Sequence, residues 1–309
     1  MKWNGVMPAL TTPFKEDGSV DHAFMVRHAE WMIENGCTGI VALGSLGESA
    51  TLEFDEQVAI LKNLIAALGS RVAVVGAVAA LSTQQAVHLA RAAEEARCSG
   101  LMILPPYVYS GDWRETKAHV GSVLSATSLS CMLYNNPVAY RTDFLPEQVH
   151  ELASEHSNLE AIKESSTDVR RVTAIRAISP SIQIMVGVDD SIVEGIAAGA
   201  VGWVAGLVNA FPRESVVLFE AGIGGNSQAA IDLYRWFLPL LRMDTVHKFV
   251  QLIKWVQQEM SVGSAKVRAP RLQIEGDEMD EAKAVLAEAL AKRPTLKGAA
   301  PLRVPIPSF

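Results

Sequence analysis

Eight short apolar runs rich in Val, Ile and Ala recur along the chain, each followed by a helix-length segment, and few architectures accept that pattern. The runs occupy residues 5–13, 38–44, 72–79, 100–105, 130–135, 159–164, 182–187 and 202–207. Most are continuous rather than alternating, as in strands covered on both faces of a parallel sheet. Between them, apolar residues fall at three- and four-residue spacing. Residues 21–34 carry Phe24, Met25, His28, Trp31 and Met32, and residues 54–68 carry Val58, Ile60, Leu61, Ile65 and Leu68. Helix-start signals stand where they are needed: Ser82 or Thr83 ahead of 86–96, Asp143 and Pro146 ahead of 149–153, and Thr167 or Asp168 ahead of 172–178. Such alternation gives a parallel sheet, doubly wound or closed, and eight repeats favour closure into a TIM (β/α)8 barrel.

The length of 309 residues suits one barrel with an addition. Residues 226–293 read as all helix (231–241, 245–260 and 278–291), with no Pro/Gly-rich linker before them. The expected organisation is a barrel over residues 1–224, a C-terminal helical extension packed on it over 225–294, and an extended tail over 295–309.

Composition narrows the class. Apolar residues at 49% and charged residues at 20% are those of a folded enzyme rather than a disordered chain. A net charge of −7 without any basic block argues against a nucleic-acid or membrane-surface partner. Cys37, Cys98 and Cys131 are scattered and odd in number, which points to packing residues in a reducing compartment. No apolar core with a small-residue cleavage site opens the chain, and no apolar stretch reaches a membrane's width. The expectation is a cytoplasmic protein. The seven histidines show no paired ligand spacing, so no metal is expected.

Active sites of such barrels lie at the C-terminal ends of the strands. Lys163 closes the sixth run, where an apolar residue is the norm. Desolvation favours the neutral amine of a buried lysine, and that amine is a nucleophile for carbonyl carbon. Spacing alone equally allows a lysine that reaches solvent or pairs with Glu164. Tyr134 ends the neighbouring fifth run, close enough for a shared pocket and a proton relay, though alone it also reads as a packing residue. After the second run, Gly44-Ser45-Leu46-Gly47-Glu48-Ser49 can present successive N–H groups to an anion or be a plain turn in which Glu48 caps locally. Asp189-Asp190 follows the seventh run as a helix cap or, failing that, a cation ligand.

Together, Gly44-Ser45-x-Gly47-Glu48-Ser49, Tyr134-Asn135-Asn136-Pro137 and Ala161-Ile162-Lys163-Glu164-Ser165, in this order, resemble the dihydrodipicolinate synthase / N-acetylneuraminate lyase family of class I aldolases over about the first 295 residues. The resemblance implies that Lys163 forms a Schiff base with pyruvate or another 2-keto acid and that Tyr134 relays the proton. It implies that Ser45, with the N–H groups of Ser45 and Leu46, holds the keto-acid carboxylate, and that the backbone of Val204 lines the pocket. It also implies no cofactor beyond the covalent lysine adduct, and a homotetramer built as a dimer of dimers.

The chain departs from the synthases of that family at four places. Their paired threonines are Ser45 and Leu46, and their arginine two residues after the Tyr-x-x-Pro proline is Ala139, with Arg141 two positions on. Their second tyrosine, given across the dimer, falls at Val108, and the glycine before the strand-seven aspartate is Val188. Loss of a fixed guanidinium removes a bidentate carboxylate clamp, and Leu46, Val108 and Ala139 imply a less charged distal pocket. The expected activity is therefore aldol cleavage or dehydration of a small hydroxylated 2-keto acid. A 4-hydroxy-tetrahydrodipicolinate synthase using Arg141 is the alternative, and a non-catalytic keto-acid-binding barrel is the alternative of another class.

Overall fold

All eight apolar runs form strands, and every ladder between them is parallel. The computed structural model describes residues 1–296. Its strands are β1 (Gly5–Pro8), β2 (Gly39–Ala42), β3 (Ala73–Val78), β4 (Gly100–Ile103), β5 (Ser130–Asn135), β6 (Leu159–Glu164), β7 (Gln183–Val186) and β8 (Gly202–Ala205). The order β1-β8-β7-β6-β5-β4-β3-β2 leaves one seam, between β1 and β2. That seam is stitched by Thr38 N–H to Val6 O at 2.9 Å and Leu10 N–H to Val41 O at 2.9 Å, giving a TIM barrel. The first run is longer than its strand because Ala9 and Leu10, past Pro8, spend their N–H groups on β8 and on this seam.

The helices between strands start where the side chains allow. Asp21 accepts from Phe24 N–H at the head of His22–Glu34, and Ser82 from Gln85 N–H at the head of Thr83–Glu95. Asp143 is not such a start: helix Pro146–Glu155 opens on Leu145 and Pro146, with Gln148 folding back onto the Leu145 N–H. Asp143 instead pairs with Arg171 at 3.0 Å.

After β8, helix Pro212–Ile223 packs against Ser227–Leu241, which in turn packs against Gly276–Ala291, where Trp236 Nε1 donates to Ala289 O at 2.9 Å. A short turn, Arg242–Asp244, precedes Phe249–Glu259, so the helix expected from residue 245 begins four residues later. The tail expected over 295–309 lies, from residue 297 on, outside the described residues. No helix among the described residues is long and apolar enough to cross a membrane.

His28 marks where the barrel's outer layer meets the later helices. It is 1% exposed, stacked between Phe24 and Trp31, and hydrogen-bonded through Nε2 to Asn209 O at 2.8 Å. Burial lowers its pKa from the ordinary 6.5 to about 4. Between those two values the unfolded chain binds a proton that the folded chain refuses, so stability falls as pH falls through this window, by about 3 kcal/mol in full. Thermal melts from neutral pH downward should therefore drop more steeply for the native chain than for His28→Gln; parallel curves would refute the assignment.

Candidate active site

Register decides what Lys163 meets. Pairing of β5 with β6 sets Tyr134 beside Lys163, and pairing of β6 with β7 sets Met185 on its other side. Lys163 and Tyr134 are each 6% exposed, and the lysine Nζ lies 4.2 Å from the centre of the tyrosine ring. Neither open alternative for Lys163 holds: it does not reach solvent, and Glu164 is occupied by Asn135 Nδ2 at 3.0 Å and Ser166 N–H at 2.6 Å. Gly187, just past β7, is packed against the lysine stem. A Cβ there would lie 2.5 Å from Lys163 Cε and 2.1 Å from Ser165 Oγ. The Ser165 hydroxyl, on the residue after β6, is buried and has no hydrogen-bond partner.

The strand ends are braced from beneath. The Asn135 amide donates to Asp143 at 3.1 Å and to Glu164 at 3.0 Å, and its Oδ1 accepts from Phe144 N–H at 3.0 Å. Burial raises the pKa of Glu164, opposed by its hydrogen bonds. The Tyr134 hydroxyl accepts from Asn136 Nδ2 at 3.0 Å. One amide side chain thus ties β5, β6 and the segment below, while the next one aims the phenol.

The glycine loop lies across the mouth. Among the described residues, neither the Ser45 nor the Leu46 N–H donates to a protein acceptor, which leaves two amide dipoles for an anion. Ser45 Oγ is hydrogen-bonded to the Tyr140 hydroxyl, and Tyr140 packs edge-on to Tyr134 and tilted against Tyr107. Glu48 is no local cap. It sits fully buried at φ 55°, and Lys254 Nζ from helix Phe249–Glu259 donates to it at 2.7 Å. The same ammonium donates to Thr12 O at 2.9 Å, while Arg268 N–H reaches the second Glu48 oxygen at 3.0 Å. Two charges so deep hold one loop geometry.

Two carboxyls lie near enough to feel the charge of Lys163. Asp189 is no helix cap: fully buried, it accepts from Trp203 Nε1, Gly206 N–H and Leu207 N–H at 2.8–3.1 Å and so fastens the end of β7 to β8. Burial raises its pKa to about 6. Asp244 rests its carboxyl against Gly206; desolvation and the charge of Asp189 hold it well above the usual carboxylate range, with Lys163 opposing. Val204, in β8, is buried opposite Met7.

Two readings of single residues change, and two residues are new. Val108 is 92% exposed and Ala139 is also exposed, so of the three apolar neighbours only Leu46 is buried. Tyr140 and Asp244 went unforeseen. Tyr140 sits three residues past the Tyr-Asn-Asn-Pro motif and is turned inward by a short helix, Pro137–Tyr140, whose cap Asn136 accepts from Ala139 N–H. Asp244 lies in the short gap between the helices expected over 231–241 and 245–260, where no periodicity marks a residue.

A (β/α)8 barrel with a buried amine under a phenol, facing an amide cradle, is the architecture of a lysine Schiff-base lyase. The profile described as the Dihydrodipicolinate synthetase family matches residues 2–289. The chain is 30% identical over 298 residues to the 4-hydroxy-tetrahydrodipicolinate synthase of Methanothrix thermoacetophila, covering 96% of this chain and 99% of that one. It is 29% identical over 274 residues to the synthase of the same name from Alkalilimnicola ehrlichii, covering 87% and 92%. Its fold matches the solved 4-hydroxy-tetrahydrodipicolinate synthase of Methylacidiphilum fumariolicum with a TM-score of 0.90 at 26% identity, over 94% of this chain and 97% of that one. The chain belongs to the dihydrodipicolinate synthetase family and is a class I lyase.

Proposed function

We propose that this enzyme cleaves or dehydrates a small hydroxylated 2-keto acid through a Schiff base on Lys163. One observation carries the reading: a lysine 6% exposed, with its Nζ 4.2 Å from the Tyr134 ring at the mouth of the barrel. The keto-acid carboxylate rests on Ser45 Oγ and the N–H groups of Ser45 and Leu46, which points C2 at the amine; the backbone of Val204 lines the opposite wall. Lys163 attacks C2, Tyr134 moves the proton to the carbinolamine oxygen, and water leaves. The iminium then accepts the electron pair released when a C–C bond breaks, or stabilises the carbanion from which hydroxide departs. No other cofactor is needed, because the iminium is the electron sink.

The distal end supports a hydroxylated substrate over one bearing a second carboxylate. The Asp244 carboxyl, close enough to Lys163 to feel its charge, offers a hydrogen bond to a substrate hydroxyl. Arg141, by contrast, is exposed, at φ 59°, with its carbonyl held by Ser110 Oγ. We further read the enzyme as cytoplasmic, on the strength of three buried free thiols. We also read it as a tetramer built from dimers, because Leu81, Val108, Tyr109 and Val138 expose apolar surface on the loops after β3, β4 and β5.

Intact-protein mass spectrometry after pyruvate and borohydride treatment tests the chemistry. A single reduced adduct is expected on the native chain and none on Lys163→Ala. Hydroxylated 2-keto acids should then turn over faster than pyruvate condenses with aspartate semialdehyde. No adduct on the native chain, or one surviving in Lys163→Ala, would overturn the reading.

A further inference from the structure

We propose that Tyr140 completes the proton path to the Lys163 pocket from within the same chain, acting through the Ser45 hydroxyl. The inference rests on the Lys163 reading above and goes beyond it.

The aromatic cluster over the pocket has Tyr140 at its centre. Its hydroxyl is bonded to Ser45 Oγ, and Tyr107 lies close enough to help raise its pKa. Its ring stands edge-on to Tyr134 with centres 5.7 Å apart and tilts against Tyr107 at 5.5 Å. Tyr140 therefore contacts Ser45, Tyr134 and Tyr107. Tyr107 is half-buried on the loop after β4, so the cluster runs outward from the lysine toward that loop within one chain. Burial holds the Tyr140 phenol far above its ordinary range, so it remains a proton donor at neutral pH.

Schiff-base formation needs such a path. The amine joins C2, the carbonyl oxygen gains two protons and leaves as water, and the nitrogen keeps one proton in the iminium. The amine brings two protons and keeps one, so one proton moves internally, by way of Tyr134, and one must come from outside. The Tyr107–Tyr140–Ser45 line delivers that second proton, each hydroxyl giving one and taking one. Ser45 also faces the substrate carboxylate, so its bond to Tyr140 fixes the rotamer that does both tasks. Tyr140 is thus a positioning and relay residue, not one that touches C2.

Tyr140→Phe keeps the ring and its packing and removes only the hydroxyl. The expected result is a roughly 10²-fold fall in kcat, as for loss of one general acid–base group, with KM changed less than about threefold. The borohydride-trapped adduct still reaches full occupancy on long incubation, but slowly, and small buffer acids speed it in the variant and not in the native enzyme. Tyr140→Leu should add a loss of melting temperature that Tyr140→Phe lacks.

Full kcat in Tyr140→Phe, or a slow variant insensitive to added buffer acid, overturns the relay while leaving the Lys163 adduct intact. Absence of adduct on the native chain overturns the Schiff-base reading instead, so the two failures are distinct. Location within one chain is tested by mixing Tyr140→Phe with Lys163→Ala subunits. No recovery of turnover is expected, in mixed oligomers or in separate chains, whereas recovery would show Tyr140 reaching a neighbour's pocket.

Discussion

Gly187→Ala should cost turnover about 10²-fold or more while leaving a folded barrel. The added methyl would lie 2.1 Å from Ser165 Oγ, 2.5 Å from Lys163 Cε and 2.7 Å from Lys163 Cγ. No atom pair tolerates such distances. Ser165 is buried against the same wall, and the lysine stem is confined between the strands, so the amine itself has to move. A displacement on the order of 1 Å at a reacting atom is enough for a loss of about 10²-fold. Overpacking by one methyl costs about 1–3 kcal/mol of stability, which a melt resolves separately from the kinetics. Turnover near the native level would mean that the working lysine does not rest against Gly187.

Lys254→Met should destabilise the chain by about 3–5 kcal/mol in denaturant titration. Removing the ammonium strands the Glu48 carboxylate, 0% exposed, with only Arg268 N–H at 3.0 Å and the Arg271 guanidinium at 3.7 Å. Breaking one partner of a buried pair is far worse than replacing both. The pair variant Glu48→Gln/Lys254→Met should therefore recover much of the loss, a coupling read directly from the double-mutant cycle. Because Glu48 follows Ser45 and Leu46 by a few residues, the single variant should also raise KM for the keto acid while still forming the borohydride adduct at saturation. Equal stability of the single and double variants would mean that the pair is a bystander.

What the sequence discloses and what it hides divide along a physical line. Strands announce themselves because each is local: the fifth and sixth runs, residues 130–135 and 159–164, match β5 and β6 residue for residue. Lys163 is legible because a lysine at the end of an apolar run is anomalous by itself. The role of Glu48 is not, since its partner lies 206 positions away and nothing in a Gly-Glu-Ser motif names a lysine in a late helix. Asp189 reads as a helix cap because its neighbours are helical, yet its three donors come from β8 and the turn beyond it. Tyr140 hides for another reason: one short helical turn, set by Asn136 and Pro137, decides whether it faces solvent or the pocket. Periodicity carries no information over four residues.

The Lys254–Glu48 contact also sets an order of events during synthesis. All eight strands have been made by Ala205, but the counter-charge for the glycine loop arrives at residue 254 and the Arg268 amide later still. A nascent chain can close its barrel with the substrate loop unfinished. The last helices are thus a completion signal: a chain cut short before them has its lysine and its strands but leaves the Glu48 carboxylate, two residues past Leu46, without its counter-charge.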